Sequence, residues 1–233
     1  MQFKTLCDFI TILENLPEGK EIKDVTLAFI GATGVRETSA NDLAKLLPRF
    51  GANVILCSPE GYELGGENDR NPQWMIDRNT ERRKQACTEG GGSITLTRDP
   101  KEAVANADYV YIGCFCYEGT ESKSDFEIYY RDFIDKGYQV TEELLSINPR
   151  AMTMHYLPAL RGKEMTDYAM DFAGSLLWTE AENRLHTQRG LMAYLMGPLA
   201  HDFDAAPFTE EEAAAKAKIR AMREAFGTEY THK

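Results

Sequence analysis

Short apolar runs alternate with segments of helical spacing along this sequence, and the alternation limits the possible folds more than any other feature. The apolar runs lie at Val25–Ile30, Asn53–Cys57, Ser93–Thr97, Tyr109–Gly113 and Ala151–His155. The segments with helical spacing lie at 3–16, 38–50, 74–88, 100–107, 141–146, 180–196 and 209–226. Because apolar strands separated by helices form parallel sheets that are covered on both faces, the pattern predicts an α/β fold. We expect a doubly wound, Rossmann-like parallel sheet of about five strands, with Ser175–Trp178 as a candidate edge strand.

Four segments that directly follow predicted strands are the first candidates for a binding site, because ligands of such sheets bind at the carboxyl ends of the strands. The segments are Gly31–Gly34, Ser58–Gly61, Gly113–Cys116 and His155–Pro158. Their glycines and prolines suit either the close approach of a ligand or a simple turn of the chain. The pattern alone leaves both interpretations open.

Composition excludes several classes of function. The net charge of −11 over 233 residues argues against nucleic acid as a partner, since phosphate backbones are held by clustered Lys and Arg. The sequence holds no apolar run long enough for a membrane helix, and its first residues lack the basic region of a signal peptide. The cysteines are odd in number and lack zinc spacing, so we expect no metal site and reduced thiols in the cytoplasm. They are Cys7, Cys57, Cys87, Cys114 and Cys116.

A dinucleotide site at Gly31–Gly34 is disfavoured. Glu37 stands where the third glycine of the dinucleotide fingerprint belongs, and its carboxylate would repel a pyrophosphate. The second predicted strand ends in Cys57-Ser58 rather than in an acid that could hold a ribose hydroxyl.

His155 and Arg161 form a more distinctive pair after the fifth predicted strand. Both side chains donate hydrogen bonds, so together they could polarise a carbonyl or hold a phosphate. The alternative is a histidine that caps the strand and an arginine on the surface. In the helix that follows, Glu180 and Glu182 suit a positive helix N-terminus, and Arg184 could reach an anion near the sheet edge.

Two long blocks resemble the second domain of the ornithine/aspartate/putrescine carbamoyltransferase family. They are His155–Asp167 (HYLPALRGKEMTD) and Glu180–Leu185 (EAENRL). Shorter matches lie at Leu6–Lys20, Phe50–Val54 and Pro59–Tyr62, so the resemblance covers nearly the whole chain. Putrescine carbamoyltransferases are the most similar members at Leu16–Lys20, Tyr138–Val140 and Leu191–Met196.

The resemblance implies a catalytic role for His155 and Arg184. Arg184 matches an arginine that contacts carbamoyl phosphate. His155, Tyr156 and Leu157 match a His-Cys-Leu turn that holds the carbamoyl amide and the incoming amine, and Pro158 follows in the carbamoyl-phosphate site. Tyr156 stands in place of the usual cysteine. No cofactor is implied.

The amine-binding positions depart from the family pattern. Thr38 falls where ornithine enzymes place an asparagine. The segment Gly113–Gly119 falls on the Asp-x-Trp-x-Ser-Met-Gly loop, with Gly113 in place of the aspartate and Tyr117-Glu118 in place of Ser-Met. These departures argue against ornithine as the preferred amine.

The resemblance implies one half of a two-domain enzyme. The family's other domain binds carbamoyl phosphate through a Ser-Thr-Arg-Thr-Arg loop that this sequence lacks, and the family's His-Pro-x-Gln motif falls on Met1–Lys4, which reads Met-Gln-Phe-Lys. We therefore expect an amine-binding domain at 1–200 and a helical extension at 201–233. The expected partners are carbamoyl phosphate, a small amine or amino acid, a carbamoyl-phosphate-binding domain supplied in trans or upstream, and further copies of the chain. The alternative is a non-catalytic domain that keeps the fold and binds a ligand or partner.

Overall fold

The computed structural model describes residues 3–34, 38–69, 71–113, 130–131, 133–196 and 217, without the side chains of Thr38, Leu195 and Met196. The predicted loop at 119–124 lies outside the described residues, as does nearly all of the predicted helix at 209–226. Clustering of contacts divides the chain into two compact units, Met1–Leu185 and His186–Lys233, and the first holds the sheet. No helix in the described part of the chain is long and apolar enough to cross a membrane.

The predicted α/β fold is confirmed by a parallel sheet of five strands. The strands are β1 (Thr26–Ile30), β2 (Asn53–Cys57), β3 (Ser93–Thr97), β4 (Tyr109–Ile112) and β5 (Met152–Met154). Their order in the sheet is β3-β2-β1-β4-β5, and every neighbouring pair is parallel. The order reverses between β1 and β4, which is the position where sheets of this kind usually bind ligands.

Helices connect the strands as predicted, with shifts at their ends, and one further helix, Asp167–Asp171, was not predicted from the sequence. They are α1 (Phe3–Glu14), α2 (Thr38–Leu46), α3 (Gln73–Gly90), α4 (Pro100–Ala105), α5 (Glu142–Ser146), α6 (Asp167–Asp171) and α7 (Leu177–Met196). A short 3-10 helix, Leu47–Phe50, continues α2 and ends at Gly51, which adopts the left-handed conformation that favours glycine.

The expected edge strand at Ser175–Trp178 is wrong. Ser175 forms only a single bridge with Thr153, and α7 begins at Leu177. The backbone N–H of Glu180 already donates to the carbonyl of Leu176 over 2.8 Å, so the first helical bond forms where a strand would have to continue.

Alternate residues of β1, β2 and β4 enter two separate cores. In β1, Leu27 and Phe29 pack with the buried side of α1 and α2, whereas Ala28 and Ile30 pack with α4, α5 and α6. This division is the expected result when a parallel sheet is covered by helices on both faces.

The exposed side of α1 leads to a prediction of self-association. Phe9 is buried, but Phe3 keeps half of its surface exposed, and Leu6, Ile10 and Leu13 are only partly covered. Exposed apolar patches usually mark interfaces. We expect the chain to self-associate at micromolar concentration, and multi-angle light scattering would measure the resulting mass.

A pair of substitutions locates the surface that associates. Phe3→Ser should lower the mass towards that of a monomer. Leu96→Ser is the control, because Leu96 is also exposed but lies on the edge strand β3. A monomeric wild type, or dissociation by Leu96→Ser alone, would contradict the assignment to α1.

Candidate functional site

The backbone packs closely at the carboxyl ends of β1 and β4. The N–H of Gly113 donates to the carbonyl of Ile30 over 3.0 Å, so the chain after β4 lies directly beside the end of β1. A Cβ atom on Gly34 would lie 2.1 Å from the carbonyl oxygen of Glu63. Close packing against the Glu63 segment therefore accounts for this glycine without a bound nucleotide.

His155 lies at the end of β5, fully buried. Its Nδ1 accepts a hydrogen bond of 2.9 Å from the N–H of Leu157. Burial lowers the pKa of His155 to about 3, and the positive charge of Lys4 acts in the same direction. The ring is therefore neutral, and because Nδ1 accepts, the proton lies on Nε2. That nitrogen makes no hydrogen bond with any residue that the structure describes.

Glu180 connects the end of β5, where His155 lies, to α7. Its carboxylate oxygens accept from the hydroxyl of Tyr111 over 3.2 Å and from the backbone N–H of His155 over 3.1 Å. Glu180 lies in the first turn of α7, as the sequence predicted, but the side chain is buried rather than facing solvent. One carboxylate thus connects β4, the end of β5 and α7.

A second buried carboxyl, Asp8 of α1, lies beside Glu180. Its carboxyl interacts with the side chains of Glu180 and Tyr111. Burial raises the pKa of Asp8 well above its usual range, and the neighbouring charge of Glu180 raises it further. Burial also raises the pKa of Glu180. Two carboxyls so close together in a dry environment hold a proton between them at a higher pH than either would alone.

A small pocket lies above this acid pair. It has room for about one water molecule, and two cations, Lys4 and Arg184, are among the residues that line it. The pocket is lined by Lys4, Cys7, Asp8, Tyr156, Glu180, Ala181 and Arg184. Arg184 is exposed, so its guanidinium is accessible to an anion. The site therefore combines a neutral histidine, an accessible arginine and an aromatic ring.

The segment after His155 has a constrained backbone. Leu157 adopts a φ of +46°, which is unfavourable for a residue with a side chain and persists only where the surroundings require it. The following bond to Pro158 is cis. Glu164, which is fully buried, supports the turn by accepting from the N–H of Leu160 over 2.8 Å and from the hydroxyl of Tyr130 over 2.6 Å. The backbone of this turn is thus held in place from within the core.

The structure places some of the predicted site residues close to one another. His155, Tyr156, Leu157 and Pro158 form one turn, and Tyr156 and Arg184 line one pocket. Gly113 lies directly after β4, at the edge of the sheet where β5 also ends.

Three further site residues cannot be placed in full. Thr38 is the first residue of α2, and its side chain is not described, while Tyr117 and Glu118 lie outside the described residues. Arg161 is exposed and pairs with Asp167 and Asp171, as the surface interpretation expected.

Sequence reasoning missed Lys4 and Asp8 as parts of the site. A signal for Asp8 was present, because it shares the helical stretch of the apolar residues Phe9 and Ile12 and is buried with them. No comparable signal marked Lys4. Its contact with Tyr156 joins two residues that are far apart in the sequence.

The neutral state of His155 leads to a prediction about acid stability. A histidine whose pKa is lowered on folding binds a proton in the unfolded chain below pH 6.5 but not in the folded chain until about pH 3. Folding stability should therefore fall as the pH drops through this window, by about 2–3 kcal/mol at two pH units below the usual histidine pKa.

His155→Asn is the matched variant, since its Oδ1 can accept from the N–H of Leu157 in place of Nδ1. Urea unfolding at pH 7 and pH 4.5 should show a smaller acid loss for the variant than for the wild type. Equal losses would show that His155 is protonated in the folded chain.

These features define a doubly wound α/β domain with a candidate site at the carboxyl ends of β4 and β5. The family profile described as aspartate/ornithine carbamoyltransferase, Asp/Orn binding domain, matches residues 23–195. The chain belongs to this carbamoyltransferase family.

Several relatives show how much of the family's length the chain spans. Ornithine carbamoyltransferase from Pyrococcus abyssi is 33% identical over 205 residues, which cover 86% of this chain and 57% of the relative. The enzyme from Methanopyrus kandleri is 37% identical over 195 residues, covering 83% and 55%. The structure of ornithine carbamoyltransferase from Pyrococcus furiosus superposes with a TM-score of 0.67 at 32% identity, covering 84% of this chain and 56% of that one. The chain therefore spans little more than half the length of these relatives.

Proposed function

We propose that this chain is the amine-binding half of a carbamoyltransferase, which transfers the carbamoyl group of carbamoyl phosphate to an ornithine- or putrescine-like amine and releases phosphate. The observation that carries the proposal is His155, a buried neutral histidine whose Nε2 makes no hydrogen bond with a described residue. It lies within the span that matches the Asp/Orn binding domain. A donor of this kind suits a carbonyl oxygen on which charge develops.

Each residue of the turn then has a role in the reaction. The neutral amine attacks the carbamoyl carbon, and the carbonyl oxygen becomes an oxyanion. The carbonyl then re-forms as the carbon–oxygen bond to phosphate breaks, and the leaving phosphate takes up the proton that the attacking nitrogen loses. His155 donates to the oxyanion, and Arg184 binds the phosphate. The backbone of Tyr156, Leu157 and Pro158 holds the carbamoyl amide and orients the amine, as positioning within a closed site requires.

One arginine is too few for this reaction. The leaving phosphate carries more charge than Arg184 can balance, and electrostatic stabilisation of this kind needs several fixed cations. We therefore propose that a carbamoyl-phosphate-binding domain completes the site, either in trans or joined to this chain, in a cytoplasmic assembly. In this assignment residues 1–200 form the amine-binding domain and residues 201–233 a helical extension.

The isolated chain should accordingly show no carbamoyl transfer to ornithine, putrescine or aspartate. The assay measures citrulline, carbamoylputrescine and carbamoylaspartate against Arg184→Ala as the background. Product above that background would show that the chain completes a site by itself, and the two-part assignment would fail.

We further propose that the acceptor is a diamine or another small amine rather than ornithine. The amine would be held by Thr38, Gly113, Tyr117, Glu118, Tyr156 and Leu157. Gly113 offers no carboxylate for the α-amino group of an amino acid. The lost charge-assisted hydrogen bond corresponds to about 1.5–3 kcal/mol, or roughly ten- to hundred-fold in affinity.

A competition assay tests this preference in the complemented enzyme, meaning this chain co-expressed with the carbamoyl-phosphate-binding domain of an ornithine carbamoyltransferase. The wild type should favour putrescine, and Gly113→Asp should shift the preference towards ornithine by about ten-fold. A wild type that already prefers ornithine by that factor would refute the assignment of Gly113. An unchanged preference in Gly113→Asp would show that the position does not contact the amine.

A non-catalytic role is the second candidate, and one observation favours it. The Nζ atom of Lys4 lies 3.0 Å from the centre of the Tyr156 ring, so the chain's own side chain already occupies part of the pocket. A domain that only binds a ligand or partner would tolerate this contact.

A further inference from the structure

Arg83 is an arginine buried in the middle of α3. Within this helix, which the structure describes in full, only Arg83 and Ala86 are buried, and 8% of the surface of Arg83 is exposed. Its Nη2 donates to the side-chain oxygen of Asn41 over 2.5 Å and, more weakly, to the backbone carbonyl of Thr33 over 3.4 Å. Both acceptors are neutral, and Nε has no hydrogen-bond partner among the described residues.

A charged side chain at this position opposes folding. Burial lowers the pKa of Arg83 to about 10, against the opposite effect of the negative charge of Asp69, so the guanidinium is still charged at neutral pH. An apolar side chain of similar length would fill the same space, and replacing buried ionic groups in this way is often neutral or stabilising. Stability of the fold therefore does not explain why this residue is an arginine.

The two acceptors of Arg83 lie on either side of the connection between β1 and α2. Thr33 is the third residue after β1, and Asn41 lies in the first turn of α2, which begins at Thr38. The Thr33 side is also held from the end of β2, because the hydroxyls of Thr33 and Ser58 share a hydrogen bond of 3.1 Å. Arg83 thus links the fixed end of β1 to the first turn of α2.

A guanidinium suits this link better than other side chains. Its Nη2 carries two protons, so one nitrogen can serve both acceptors, and the planar group holds the two donors in a fixed geometry. A lysine ammonium would keep the charge without that geometry.

We propose that Arg83 is a positioning residue of the amine site, which holds the first turn of α2 so that Thr38 can contact the amine. Arg83 itself does not touch the amine. The inference rests on the proposed function only in the role that it gives to Thr38.

Arg83→Met separates positioning from support of the fold. In the complemented enzyme this variant should raise the KM for putrescine by about ten-fold or more, because small misplacements of binding groups are costly. The KM for carbamoyl phosphate and the midpoint of urea unfolding should not fall outside the range of the control. The control is Arg82→Met, which replaces the exposed neighbouring arginine and should change neither KM. Arg83→Lys should restore only part of the affinity for putrescine.

A double variant tests whether Arg83 acts through Thr38. Thr38→Val removes the hydroxyl, and adding Arg83→Met to it should raise the KM for putrescine no further, since the effects of coupled residues do not add. Independent effects of the two substitutions, or an unchanged KM for putrescine in Arg83→Met, would overturn the proposal.

Hydrogen exchange on the isolated chain distinguishes failure of this inference from failure of the proposed function. The N–H of Asp42 has the carbonyl of Thr38 as its helical acceptor, so its exchange reports on the first turn of α2. In Arg83→Met this N–H should exchange about ten-fold faster than in the wild type, while Ala28 in β1 exchanges as before. If Arg83→Met does not fold, Asn41→Ala removes the acceptor on α2 and should have the same effect.

Unchanged exchange at Asp42 would overturn the role of Arg83 even if the complemented enzyme is active. Faster exchange, together with a wild-type complemented enzyme that forms no product, would support Arg83 as the residue that holds α2 and would contradict the proposed function instead.

Discussion

Replacing Arg184 by alanine should lower kcat/KM of the complemented enzyme by at least 100-fold. The guanidinium is the exposed cation of the pocket, and two charge-assisted hydrogen bonds to a phosphate correspond to about 3–4 kcal/mol or more. Because Arg184 is assigned to the phosphate, kcat/KM for carbamoyl phosphate should fall most. The KM for the amine should change little. Initial rates at varied concentrations of both substrates measure the two effects separately.

The control is Arg150→Ala, an exposed arginine that does not line the pocket. It should leave kcat/KM unchanged. Arg184→Lys should recover only part of the activity, because an ammonium cannot form the paired hydrogen bonds of a guanidinium. Equal activity of Arg184→Ala and Arg150→Ala would show that Arg184 has no role in the site.

Replacing Glu180 by alanine should lower the free energy of unfolding by about 2–4 kcal/mol. The change leaves the hydroxyl of Tyr111 and the backbone N–H of His155 without their buried acceptor, and it opens a cavity between β4, the end of β5 and α7. Relief of the repulsion with Asp8 offsets part of the loss. Urea unfolding at pH 7 measures the difference.

Glu180→Gln separates the hydrogen bonds from the charge. Its amide oxygen can accept from the N–H of His155, and its amino group can donate to the oxygen of Tyr111. We expect a loss of less than about 1 kcal/mol for this variant, since both contacts are retained. A loss as large as that of Glu180→Ala would mean that the negative charge, rather than the hydrogen bonds, stabilises the fold.

The sheet could be predicted from the sequence because most of its strands are short apolar runs, while β3 alternates Ile94 and Leu96 with Ser and Thr. The bounds of β2 and β3 agree with their predicted ranges, since Gly51-Ala52 and the glycines before Ser93 mark where each strand begins. The prediction of an edge strand at Ser175–Trp178 was wrong because the pattern of this segment is ambiguous. Four apolar or small residues suit a strand or a first helical turn equally, and only the hydrogen bond from Glu180 to Leu176 decides between them.

The site could be predicted only where its residues are close in sequence. His155–Pro158 and Arg184 lie in continuous blocks, whereas Lys4 and Asp8 are distant in sequence from the turn that they join. The helical pattern around Asp8 suggests that its side chain is buried, but its position beside Glu180 depends on tertiary packing. The lowered pKa of His155 could not be predicted either, because it arises from burial that no local sequence pattern reveals.

The measurement that tests the central claim most directly is product formation by the complemented enzyme with isotopically labelled carbamoyl phosphate. The account predicts that labelled carbamoyl-amine and free phosphate form in equal amounts, and that neither this chain nor the added domain forms the product alone. The same mixture with His155→Ala in place of the wild-type chain should lose most of the activity. If the two parts form a folded complex that binds carbamoyl phosphate and yet makes no carbamoyl-amine from ornithine, putrescine or aspartate, this chain is not the amine-binding half of a carbamoyltransferase.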